Sequence, residues 1–132
     1  MRLPIRIYYE DTDCGGVVYY ANYLKYFERG RTEFLRALGV SLPELREQGT
    51  LFVVRKAEVE YISPCRYDDL LHLETEVSSV TGATITFRHG VRKDGLDREA
   101  VRGTVTLAAV GTDGRPTRLP EGLRAGLKAR GL

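Results

Sequence analysis

The sequence predicts an α+β fold in which an antiparallel sheet covers one long helix, and three observations carry that prediction. A short strand-like stretch opens the chain, a helix-length stretch with apolar side chains recurring every three or four residues follows, and four consecutive stretches of strand composition fill most of the remainder. A lone sheet of this kind has a second face that needs covering, so oligomerisation is expected, most simply as a two-fold dimer.

Each element follows from its residues. Ile5 to Tyr9 is β-branched and aromatic and ends where Glu10 to Gly16 concentrate turn formers, which predicts a first strand followed by a turn. From Asn22, a candidate N-cap, apolar side chains recur at Tyr23, Phe27, Gly30, Phe34 and Leu38, with Gly39 as the C-cap. Glycine in a helix interior costs about 1 kcal/mol relative to alanine, so Gly30 implies that this face is pressed close to a neighbouring surface. Ser41 to Gln48, with Pro43 early, predicts a short second helix capped by Ser41. The segments "LFVVRKAEVEYIS" (51–63), "LLHLETEVSSV" (70–80), "TITFRHGVRK" (84–93) and "EAVRGTVTLAAV" (99–110) read as strands. Pro64 to Asp69, Thr81 to Ala83 and Asp94 to Asp97 read as short antiparallel connections between them. Leu119 to Leu132 reads as a weak C-terminal helix.

A chain of 132 residues is expected to form one domain, 1–132, able to bury roughly two thirds of its unfolded surface. Its net charge of +2 provides no broad basic field, which argues against a nucleic-acid partner. Cys14 and Cys65 make neither a disulfide framework nor a zinc site, so a reducing cytoplasmic location is expected. Charged residues at Arg6, Glu10 and Asp11 precede any apolar run of signal-peptide length, and no stretch approaches the roughly 20 apolar residues of a membrane span. Neither export nor membrane insertion is expected.

The chemistry concentrates in "DTDCGGVVYYAN" (11–22). Its aspartates and glycines are the commonest turn residues and would suffice to reverse the chain. A calcium loop fits poorly, because Gly15 and Asn22 stand where an acidic or amide ligand and a bidentate glutamate are needed. Cys14 as a nucleophile needs a base, and His72 and His89 both fall in distant predicted strands. The remaining reading uses Asp13 itself, ahead of a helix start that offers unpaired N–H groups and a partial positive charge. Attack on a thioester or ester carbonyl puts negative charge on the carbonyl oxygen, which such an end stabilises. A carboxylate nearby can add to the carbon or deprotonate a water. This chemistry calls for no cofactor and no metal. Tyr19, Tyr20 and Tyr23 would wall the pocket or pack into the core.

The run "YYEDTDCGGVVYYANYLKYFERGRTEFL" closely resembles the signature of the hotdog-fold acyl-CoA thioesterases of the 4-hydroxybenzoyl-CoA thioesterase class, especially the short-chain enzymes associated with the Tol-Pal system. The matching elements are Asp13, Gly15-Gly16, Val17-Val18, Tyr20, Asn22, Tyr23, Phe27 and Glu28 to Arg31. A second block, Val59 to Thr75, extends the likeness, which spans roughly residues 5 to 112. The resemblance implies a hotdog fold, an antiparallel five-stranded sheet wrapped around one long helix. It also implies dimers whose sheets join, homotetramers built as dimers of dimers, an active site at the subunit interface, and hydrolysis of acyl-CoA or an acyl-carrier-protein thioester. Asp13 takes the catalytic carboxylate and the backbone N–H of Tyr20 the carbonyl-polarising role. Gly16, Val17, Tyr19, Asn22 and Tyr23 fall in the substrate-binding surround.

Two departures follow. A relative specific for an aromatic acyl-CoA holds the nucleotide phosphate with a basic cluster where this chain has the uncharged "VTGA" (80–83), so Arg66, Arg88 or Arg92 is expected to serve instead. Tyr20 replaces the histidine common in Tol-Pal-associated members, which leaves the acyl preference open. His89 is expected to be a strand histidine making one hydrogen bond. The alternatives are an enoyl-thioester hydratase, whose chemistry usually wants Asp and His together near the helix start, and a non-catalytic acyl-thioester-binding protein.

Overall fold

The computed structural model describes residues 1–130. Along the chain come β1 (Arg2–Arg6), a 3-10 turn (Tyr9–Asp11), α1 (Asn22–Ala37), α2 (Leu42–Glu47), β2 (Leu51–Tyr61), β3 (Leu70–Val80), β4 (Thr84–Lys93), β5 (Glu99–Val110) and α3 (Glu121–Lys128). The five strands make one antiparallel sheet in the order β1-β3-β4-β5-β2. The predicted C-terminal helix is present as α3; residues 131–132 of that prediction lie outside the described residues. No helix among the described residues is long and apolar enough to cross a membrane.

Three local expectations are corrected. The first strand begins and ends earlier than Ile5 to Tyr9, because the Asp11 carboxylate accepts from the Tyr8 N–H at 2.8 Å and winds Tyr9–Asp11 into a turn. Asn22 is not the N-cap: Ala21 occupies that position without a side-chain cap, and the Asn22 amide instead donates to the Asp11 carbonyl at 2.9 Å. Most consequential, β2 and β3 are not hairpin neighbours. β2 pairs with β5 at the far edge, and residues 62–69 cross back to β3. Eight residues reach about 26–29 Å when extended, ample for three strand spacings of about 4.8 Å each. A short link therefore looks the same in sequence whether it turns or crosses.

The side of the sheet that carries Leu71, Leu73, Ile85, Phe87, Val91 and Val101 is buried against α1. From the helix come Tyr23, Tyr26, Phe27, Gly30, Phe34 and Leu35, the spacing of one helical stripe. The close approach inferred from Gly30 is present: a methyl group there would meet the Thr75 hydroxyl and lie 2.8 Å from a Leu73 methyl. Ser41 caps α2 as expected, its hydroxyl accepting from the Glu44 N–H at 3.3 Å. Register irregularities between Val54 and Lys56, Val77 and Ser79, and Val91 and Arg92 bend the sheet around the helix.

Candidate active site

The sequence between the 3-10 turn and α1 folds into a miniature hairpin. Thr12 bridges Val18, the Asp13 N–H donates to the Val17 carbonyl at 2.9 Å, and the Gly16 N–H returns to the Asp13 carbonyl at 3.0 Å. Gly16 has φ +79°, a left-handed conformation that side chains resist. At Gly15 a methyl group would sit 3.2 Å from the Asp13 carboxylate. The two glycines thus make the turn and keep space beside the acid.

Asp13 is exposed at the tip. One carboxylate oxygen accepts from the Gly15 N–H at 2.8 Å, and the other has no hydrogen-bond or ion-pair partner among the described residues. The acid is held in direction but is not sealed in a salt bridge. Its charge reaches Tyr19, whose pKa is raised first by the hydrogen bond with Tyr20 and to a smaller extent by Asp13.

The hairpin is tied to the β2–β3 crossover. Val18 N–H donates to the Cys65 carbonyl at 2.8 Å, and Val17 bridges Arg66. Below it, Tyr19 N–H and the Asn22 side chain both donate to the Asp11 carbonyl at 2.9 Å, leading the chain into α1. Among the described residues nothing accepts from the Tyr20 N–H, while the Tyr20 carbonyl accepts from the Tyr61 hydroxyl at 3.0 Å. A cleft of about 280 Å³ opens here, lined by Val17, Val18, Tyr20, Tyr23, Tyr61, Ile62, Ser63 and Pro64.

Of the residues singled out from sequence, Asp13, Gly16, Val17, Tyr19, Tyr20, Asn22, Tyr23 and Arg66 are brought together in this hairpin, helix start and crossover. Tyr20 and Tyr23 line the cleft, and Tyr19 packs on Tyr20 with ring centroids 4.8 Å apart. Asn22 fastens the backbone. Tyr23 is held protonated, its pKa raised by burial and then by the Cys65 thiol. Arg88 is not brought to the site. It projects from β4 on the sheet face opposite α1, where it pairs with Glu99 at 2.9 Å. Arg92 pairs with Glu74 on that same face.

Neither histidine stands at the turn. His72 pairs with Asp94 at 2.8 Å. His89 is fully buried and makes two hydrogen bonds rather than the expected one, to Thr75 at 2.9 Å and Arg31 at 3.3 Å. Cys14 is exposed beside Asp13, and Cys65 is buried with its thiol pKa pushed up by desolvation. Sequence reasoning missed Tyr61, because only the crossover brings the end of β2 to the helix start. It also missed Arg118, whose guanidinium packs over Gly82 and delivers charge to the turn whose own "VTGA" has none.

The model of the thioesterase-like superfamily matches residues 8–127. The chain belongs to that superfamily. An acyl-CoA thioesterase YbgC of Haemophilus influenzae is 48% identical over 108 residues, covering 81% of this chain and 78% of that one. An acyl-CoA thioester hydrolase YbgC of Escherichia coli O6:H1 is 50% identical over 86 residues, 65% of this chain and 64% of the relative. The crystal structure of a probable thioesterase from Bartonella henselae superposes with a TM-score of 0.85 at 36% identity, covering 91% of this chain and 98% of that one. As a member of the thioesterase-like superfamily the chain has the expected hotdog fold, and it is a thioester hydrolase by kinship.

Proposed function

We propose that the protein hydrolyses acyl-CoA thioesters to the free acid and CoA, with the Asp13 carboxylate as nucleophile or general base and the Tyr20 N–H polarising the thioester carbonyl. The observation that carries the reading is the Asp13 turn: an exposed carboxylate with one oxygen held by Gly15 and the other unpaired, in the hairpin that leads through Tyr20, whose N–H is unused, into α1. The names of the Haemophilus and Escherichia relatives support the choice of acyl-CoA.

In the nucleophilic route the free oxygen adds to the thioester carbon, the C–S bond breaks, and CoA leaves as the thiolate. Water then cleaves the anhydride and restores the carboxylate. In the general-base route the carboxylate takes a proton from water as its oxygen adds, and that proton passes to the departing sulfur. Either route develops charge on the carbonyl oxygen, which the Tyr20 N–H and the positive end of α1 stabilise. Arg66, exposed and with its backbone bridged to Val17, is the arginine this reading assigns to a nucleotide phosphate.

The working unit in this reading is a two-fold dimer joined along β2. That strand is eleven residues long and lies at the sheet edge, with Val53, Val54, Tyr61 and Ile62 exposed on it or just past its end. Edge strands of this kind pair with another chain unless protected.

Asp13→Asn tests the mechanism. Thiol release from short-chain acyl-CoA esters should fall by about 10²–10⁴-fold, while binding of a non-hydrolysable acyl-CoA analogue persists. Near-normal turnover in that variant would end the carboxylate mechanism.

A further inference from the structure

The chain is tied down almost residue by residue as it enters α1. Val18 N–H donates to the Cys65 carbonyl at 2.8 Å, Tyr19 N–H to the Asp11 carbonyl at 2.9 Å, and Asn22 N–H to the Tyr19 carbonyl at 2.9 Å. The last of these bears on Tyr20, because the Tyr19 C=O and the Tyr20 N–H share one planar peptide and point in opposite directions. With its C=O engaged by Asn22, that peptide turns the Tyr20 N–H away from the first turn of the helix. The next peptide plane carries the Tyr20 C=O, and its partner comes from the end of β2: the Tyr61 hydroxyl donates to it at 3.0 Å. Among the described residues no other donor reaches that carbonyl.

Packing aims the Tyr61 hydroxyl. Its ring lies edge-on to Tyr23, centroids 5.7 Å apart, and to Tyr20 at 6.3 Å. Tyr23 is buried and itself packs edge-on to Tyr26 at 5.8 Å, so the surface behind Tyr61 is fixed. Burial, and then the neighbouring Tyr20, raise the Tyr61 pKa, which keeps the phenol a donor at neutral pH. Tyr20 is thus held through both of its flanking peptide planes, while its own N–H is left free.

We propose that Tyr61 is a positioning residue for thioester hydrolysis: by pinning the Tyr20 carbonyl, its hydroxyl fixes the direction in which the Tyr20 N–H meets the substrate carbonyl oxygen. This rests on the Asp13 and Tyr20 reading given above. A preorganised donor contributes most when that oxygen becomes anionic, so the restraint acts on the transition state rather than on the bound thioester. A misplacement of about 1 Å at a reacting site can cost about 10²-fold in rate. Releasing one of the two peptide planes while Asn22 still holds the other costs less, about tenfold.

Tyr61→Phe tests this, since it removes the hydroxyl and keeps the ring against Tyr23. With short-chain acyl-CoA esters kcat should fall about tenfold and KM stay within about twofold, the pattern of a contact that serves only the transition state. Tyr61 is 47% exposed, so the thermal midpoint, measured alongside, should stay close to that of the unaltered protein. An unchanged kcat overturns the proposal. So does a higher KM at unchanged kcat, which makes Tyr61 a wall of the cleft and nothing more. Asp13→Asn separates the two readings: turnover that collapses there while Tyr61→Phe keeps full kcat leaves the thioesterase reading standing and removes this one. Near-normal turnover in Asp13→Asn, or no thiol release from the unaltered protein, overturns that reading and this one with it.

Discussion

His89 illustrates how one side chain is committed by its surroundings. It stacks on Phe27 with ring centroids 4.4 Å apart, and it takes a hydrogen bond from Arg31. Because a guanidinium only donates, the Nε2 atom must accept, which leaves Nδ1–H to donate to the Thr75 hydroxyl at 2.9 Å. The ring is therefore locked neutral, with a pKa near 3 against an ordinary value of 6.5. Between those values the unfolded chain binds a proton that the folded chain refuses, so stability present at neutral pH is lost as pH falls. By pH 5 the loss amounts to about 2 kcal/mol. Denaturant titrations at pH 7 and pH 5 should show this slope in the native protein, and His89→Gln should flatten it. An unchanged slope in the variant would assign the effect to other groups. The turn around Asp13 was readable at this scale, since the need for glycine beside an exposed acid is local. The roles of Asn22 and Tyr61 were not, because their partners, Asp11 and Tyr20, lie 11 and 41 positions away.

At the scale of elements, α1 is decided by Gly30. Alanine there would gain about 1 kcal/mol of helix propensity, but its methyl would collide with Leu73 and with the Thr75 hydroxyl that His89 bonds. Overpacking costs about 1–3 kcal/mol, and disturbing a buried hydrogen bond adds to it. Gly30→Ala should therefore lower the thermal midpoint despite the better helix former. A midpoint unchanged or raised would mean that helix and sheet have room to separate. The helices and the four later strands were legible from periodicity and caps, and Gly30 itself signalled the contact. The pairing of β2 with β5 was not legible, because alternation tells which face of a strand is buried but not which neighbour it bonds.

For the whole molecule, the open β2 edge governs assembly. Val54 is 56% exposed at that edge, near the start of an eleven-residue strand. Natural proteins protect such edges with lysine, so replacing Val53 and Val54 together by lysine should yield monomers in light scattering. In the proposed dimer the active site lies at the subunit interface, so thiol release should fall at least tenfold alongside, a loss of about 1.4 kcal/mol. Monomers with full activity would separate catalysis from assembly. A variant that stays dimeric would move the interface to another surface.

By itself the sequence determined the order and type of the elements, the close seat of α1 on the sheet, and the turn that exposes Asp13. Each of these depends on residues near one another in the chain, through side-chain period, caps and backbone conformation. Only the tertiary structure decided that β2 crosses to the far edge, that Tyr61 meets Tyr20, that Arg88 turns to the opposite face, and that Arg31 is buried against a neutral histidine. Those outcomes depend on which distant segments become neighbours, and that is set by packing of the whole sheet around α1 rather than by any local pattern.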